Sequence, residues 1–66
     1  MVNLSARESE ILSFLTNGFT DKEIAESLNL SVRTVHTYNS RIFLKCGVKN
    51  RTAAVSAYLR RSGANV

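Results

Sequence analysis

Residues 20–37 read TDKEIAESLNLSVRTVHT, and the punctuation inside this stretch decides the architecture. Thr20 followed by Glu23 fits a capping box, in which the threonine oxygen accepts the backbone N–H of the third helical residue and the glutamate reaches back to the cap. Asp21 adds negative charge at the positive end of the helix macrodipole. A helix over 21–28 should follow, with Ile24, Ala25 and Leu28 as its apolar stripe and Asn29, which tolerates left-handed backbone, as its end. Ser31 then caps the next helix. Only Asn29, Leu30 and Ser31 separate the two, which is the three- or four-residue connection of a helix-turn-helix.

Working outward, the third helix should run over 32–45, with Val35, Tyr38, Ile42 and Cys46 at i, i+3, i+7 and i+11 on its inner side. Its opposite side carries Arg33, His36, Thr37, Ser40 and Arg41, with Leu44 at or near that face and no acid. Upstream, Ser5 and Glu8 repeat the capping box and open a helix over 6–17 whose apolar positions are Ile11, Leu12, Phe14 and Leu15. Downstream, Asn50 can cap a fourth helix over 51–61, with Ala54, Val55 and Tyr58 turned inward. Gly18, Gly47 and Gly63 are the natural stops, there is no proline, and residues 63–66 should fray. The expected fold class is all-α: one four-helix helix-turn-helix domain over 1–66.

A chain of 66 residues hides only about 60% of its unfolded surface, so the core must be small. With 44% hydrophobic and 21% charged residues the composition is globular, and no apolar run approaches a membrane span of roughly 18 residues. Met1-Val2-Asn3 lacks the basic start and apolar stretch of a secretory signal. One cysteine, Cys46, and one histidine, His36, leave neither an internal disulfide nor a zinc set, so no metal or cofactor is expected and Cys46 reads as a core side chain.

Charge is divided along the chain. All five acids (Glu8, Glu10, Asp21, Glu23, Glu26) lie in the first 26 residues beside only Arg7 and Lys22, a net −3, and everything from Ser27 onward is acid-free with +7. Such asymmetry points to a polyanion. The basic residues do not lie opposite one broad apolar face of a single helix, as a membrane surface would need. Duplex DNA fits better. Arginine offers paired donors to guanine, histidine donates or accepts, and serine and threonine do either, so Arg33, His36, Thr37, Ser40 and Arg41 are the candidate base-reading residues of a helix set in the major groove. Phosphate contacts are expected from the start of the second helix, Thr20 and Lys22, and from the basic run Lys45, Lys49 and Arg51.

Four blocks in order resemble the LuxR-type helix-turn-helix domain of quorum-sensing receptors and NarL/FixJ-like response regulators. They are Leu4-Ser5-x-Arg7-Glu8; Gly18-Phe19-Thr20-Asp21-Lys22-Glu23-Ile24-Ala25; Leu30-Ser31-x-x-Thr34-Val35; and Lys45-x-Gly47-Val48-Lys49-Asn50-Arg51-Thr52-x-Ala54-Val55. The resemblance spans nearly the whole chain. It implies a four-helix domain that controls transcription in the bacterial cytoplasm, associated with the nucleoid when bound. It implies base reading by His36, Thr37 and Ser40 with Arg33 and Arg41 beside them, and backbone contacts by Thr20, Lys22, Thr34, Lys45 and Arg51. It also implies a weak homodimer through the last helix, where Ala53, Ala57 and Arg60 form the expected interface, and RNA polymerase as a further candidate partner. This chain departs from the family pattern in having His36 and Tyr38 where most members have lysine and histidine, and Cys46 where most have leucine. The first change removes a fixed charge from the reading face.

Two other readings share much of the pattern. The promoter-reading region of bacterial sigma factors has the Arg-Glu, Glu-Ile-Ala and Ser-x-x-Thr-Val elements, but the fourth helix after Gly47-Val48 argues against it. A protein-interaction module could keep the fold and dock a partner through the third or fourth helix. Catalysis is not expected, because no nucleophile motif is present and so small a helical domain has little room for a water-excluding pocket.

Overall fold

The computed structural model describes residues 3–61; the expected frayed segment at 63–66 lies outside them. Its helices are α1 (Ala6–Thr16), α2 (Asp21–Leu28), α3 (Val32–Cys46) and α4 (Arg51–Arg61), with no strand among the described residues. Both capping boxes form. Ser5 Oγ accepts from Glu8 N at 3.1 Å while Glu8 Oε1 accepts from Ser5 N at 2.8 Å, and Thr20 and Glu23 repeat the pair at 3.1 and 2.8 Å. Ser31 Oγ accepts from Thr34 N at 3.0 Å, and Asn50 Oδ1 accepts from Ala53 N at 2.9 Å.

The first three helices end in the same way. Gly18, Asn29 and Gly47 take left-handed backbone at φ 82°, 57° and 68°. Each turns the chain so that the next residue's N–H reaches a carbonyl five positions back: Phe19 to Phe14 at 3.1 Å, Leu30 to Ala25 at 2.8 Å and Val48 to Phe43 at 3.0 Å. This is the Schellman ending, and its usual apolar contact across the turn is present in α1, where the Phe14 and Phe19 rings lie 4.8 Å apart. Asn17, expected as the last residue of the first helix, is its cap, and α3 runs one residue further than expected, to Cys46.

The core consists of Ile11, Leu12, Leu15, Ile24, Ala25, Val35, Ile42 and Ala54. α3 packs on α1, α2 and α4, so Val35 and Ile42, both fully buried, are the side chains on which the helices converge. Its buried stripe is Val35, Asn39 and Ile42. Tyr38 and Cys46, expected on that stripe, are half-buried and pack against the core from its edges. At 3.6 residues per turn, positions 38 and 39 flank the same inward line, and Asn39 takes the deeper place because its Nδ2 donates to Asp21 Oδ1 at 3.1 Å. Tyr58, expected inward, is 37% exposed, one turn beyond buried Ala54, where so small a core no longer closes over it.

One buried charge holds α1 to α3. Glu8 is only 3% exposed, yet besides closing its capping box it accepts from Lys45 Nζ at 2.7 Å, across 37 positions of sequence. The Lys45 hydrogen bond, with the Ser5 N–H next, holds the Glu8 carboxyl below the ordinary glutamate range against the opposing effect of burial. A depressed pKa in the folded state means stability that is complete above the unfolded value and lost as pH falls through the folded one.

Two outcomes follow. Urea titrations of Glu8→Gln, which keeps a capping partner, should show lower stability than wild type at pH 7 and a shallower decline below about pH 4.3, the ordinary glutamate value. A parallel acid limb in the two proteins would remove Glu8 from this role. Gly47→Ala meets no atom within 4 Å but sits at φ 68°, so it should cost about 1–2 kcal/mol in the same assay from backbone strain alone.

Candidate nucleic-acid interface

The side of α3 turned from the core exposes Arg33, His36, Thr37, Ser40, Arg41 and Leu44. No acid from α3 or α4 lies among them. The side chains of Arg33 and Arg41, with Lys22 at the start of α2 and Lys49 in the α3–α4 turn, make no hydrogen bond or ion pair among the described residues. Their donors are free for an external acceptor. Thr37 Oγ1 donates to Arg33 O at 3.2 Å, which fixes its hydroxyl and leaves its oxygen lone pairs and methyl outward. Thr34 is half-buried and accepts from Ser31 Oγ at 2.9 Å, so only part of it faces solvent. Thr20 is exposed, and its oxygen caps α2 while its hydroxyl hydrogen stays available.

Three of the expected contact residues are engaged inside the domain. Lys45 is bound to Glu8, and Arg51 and His36 share the carboxylate of Asp21. Asp21 sits in the first turn of α2, where Arg51 Nη2 from α4 and Asn39 Nδ2 from α3 donate to its Oδ1 and His36 Nε2 lies 2.9 Å from its Oδ2. Arg51 Nη1 also donates to Phe19 O at 3.0 Å. Burial alone would raise the Asp21 carboxyl, but the hydrogen bonds from Arg51 and Asn39 and the charges of Arg51 and His36 outweigh it and hold the group below its ordinary range.

Asp21 and Glu8, with Asn39 bonded to Asp21, are therefore partners of the candidate contact residues that the sequence did not disclose. Asp21 already had a local explanation, the helix dipole, and Glu8 had its capping box, so neither advertised a second partner. The weak signal was arithmetic: these are two of the few acids in a chain whose basic residues must pack near something.

On α4, Ala53 and Ala57 are half-buried, and exposed Arg60 donates from Nη1 to Ser56 Oγ at 2.8 Å. Among the described residues no three His, Cys, Asp or Glu side chains gather as metal ligands, and no helix is long and apolar enough to cross a membrane.

Comparison with known proteins agrees with this arrangement. Residues 2–58 match the profile described as "Bacterial regulatory proteins, luxR family". The chain is 41% identical over 58 residues to the oxygen regulatory protein NreC of Staphylococcus aureus, covering 88% of this chain and 27% of that one. It superposes on VqmA in a ligand–DNA complex from Vibrio cholera with a TM-score of 0.88 and 31% identity, covering 92% of this chain and 27% of that one. Against the DNA-binding domain of the response regulator ComA, solved with the anti-activator RapF, the TM-score is 0.82 and the identity 42%, covering 83% of this chain and 95% of that one. The chain spans between 24% and 29% of the length of the curated relatives it matches. With residues 2–58 matched to that profile, the chain belongs to the luxR family of bacterial regulatory proteins and is a helix-turn-helix DNA-binding domain of the kind found in transcriptional regulators.

Proposed function

We propose that the chain, acting as a single domain, recognises a defined DNA sequence by laying α3 in the major groove. Arg33, His36, Thr37, Ser40 and Arg41 meet base edges, and Thr20, Lys22, Thr34, Lys45, Lys49 and Arg51 meet phosphates. The observation that carries this is the acid-free outer side of α3, where Arg33 and Arg41 have no side-chain partner among the described residues. Arginine donors left unpaired beside short hydroxyl side chains match the acceptor pattern of guanine and the mixed pattern of the other bases.

The domain works in the cytoplasm as a weak homodimer, through the side of α4 that carries Ala53, Ala57 and Arg60, where small side chains allow close approach of two helices. A two-fold pair would set two copies of α3 about 34 Å apart, in successive major grooves of a near-palindromic site. Its role is to direct transcription, with RNA polymerase as a further partner.

A second reading is favoured by Leu44, which is 82% exposed on α3. The ComA domain is held by an anti-activator protein, and an apolar side chain beside the basic face would suit a protein partner that competes with DNA. The two readings separate by salt. DNA binding through about six phosphates should weaken roughly a thousandfold between 50 and 200 mM salt, whereas apolar docking should change little.

Selection from a random DNA pool is the decisive experiment, since it returns the site and its symmetry together. Replacing Thr37 and Ser40 by alanine should change the selected sequence, and an identical profile would count against base reading. Lys49→Ala, a substitution at a side chain with no partner among the described residues, should weaken binding to all sequences alike and lower the salt slope by about one unit. A loss confined to some sequences would contradict its assignment to phosphate.

A further inference from the structure

His36 stands on the exposed side of α3 with 62% of its side chain accessible, yet its ring is not free to turn, because Nε2 lies 2.9 Å from Asp21 Oδ2. Asp21 is itself held. Its other oxygen accepts from Arg51 on α4 and from buried Asn39 on α3, and its backbone is pinned in the capped first turn of α2. Three helices thus fix one carboxylate, and the carboxylate fixes one edge of the imidazole.

The chemistry of the pair sets which edge. An ionised carboxylate only accepts hydrogen bonds, so the nitrogen facing it must carry the hydrogen. In a neutral imidazole the other nitrogen is then a bare acceptor, and the partner of the first nitrogen decides the tautomer. Nδ1 of His36 has no partner among the described residues.

We propose that Asp21 is a positioning residue that holds the His36 ring with Nε2–H towards it, so that whenever the ring is neutral it meets DNA as a hydrogen-bond acceptor through Nδ1. The group it takes in the major groove is an exocyclic amino group, adenine N6 or cytosine N4, and not a purine N7 or a keto oxygen. This rests on the reading of α3 as the groove helix. It gives position 36 a polarity opposite to that of a lysine or arginine, which could only donate.

The test has two arms. In the free domain, long-range proton–nitrogen correlation of the ring, at a pH where its nitrogen shifts mark it neutral, should show Nε2 protonated and Nδ1 bare. In folded Asp21→Ala, with helix content checked by circular dichroism, the shifts should move to the average of two exchanging tautomers. A wild-type ring protonated at Nδ1, or a ring spectrum unchanged in the folded variant, would overturn the positioning role and leave groove binding standing.

The second arm uses the wild type, His36→Ala and synthetic duplexes, so it does not depend on Asp21→Ala folding. At the base pair whose preference His36→Ala abolishes, deleting the amino group (adenine to purine, or cytosine to 2-pyrimidinone) should weaken wild-type binding about tenfold and leave His36→Ala unaffected. Replacing purine N7 by C–H should produce no loss that depends on His36. The reverse pattern would overturn the acceptor assignment. A His36→Ala selection profile identical to the wild type, found with an Nε2–H ring, would instead bring the proposal down through the base-reading role it rests on.

Discussion

α3 has to satisfy two environments at once, and the rest of the domain is arranged around that constraint. Val35 and Ile42 are fully buried against the surrounding helices, while Arg33, Thr37, Ser40 and Arg41 stay in water on the other side. Burying aliphatic side chains of this size contributes about 1.5–3 kcal/mol each, a large share of what so small a domain can gather. The outer side contributes little to folding and is therefore free to be chosen for its partner. α1, α2 and α4 supply the apolar surface that makes this division possible.

Charge placement extends the same logic. An acid on the outer side of α3 would oppose a polyanion, and none is there; the acids lie in α1 and α2. Two of them nonetheless reach the basic half of the molecule. Glu8 takes Lys45, and Asp21 takes Arg51 with His36 beside it, so each carboxylate that approaches the face is covered by a cation, Lys45 or Arg51, that is also a candidate phosphate contact. An ion pair that uses a candidate contact residue in this way holds its side chain in place, which reduces the ordering that any binding must impose.

Helix limits and caps were legible because they depend on residues three to five positions apart. Ser5 with Glu8, Thr20 with Glu23, and the left-handed stops at Asn29 and Gly47 are all local, and the structure reproduces them within one residue. The outward set on α3 was legible for the same reason, since one helix fixes its own faces. What stayed hidden was long-range: Lys45 with Glu8, and Arg51 with Asp21, are more than 25 positions apart and leave no periodic trace. Asn39 stayed hidden for a related reason. Its Nδ2 meets Asp21 from another helix while its Oδ1 is buried without a hydrogen bond among the described residues, whereas hydropathy alone favours Tyr38 for the inward place.

The repeated Schellman endings also bear on time. Each turn closes through a backbone bond to the carbonyl five positions back, so its shape is set largely by near neighbours, with Arg51 adding one remote hydrogen bond at Phe19. Chains assembled largely from such near-neighbour contacts reach their folded state in about microseconds to milliseconds, where folds built on remote strand pairing take far longer. By that rule, a domain closed by three such short turns is expected to fold at the fast end of this range.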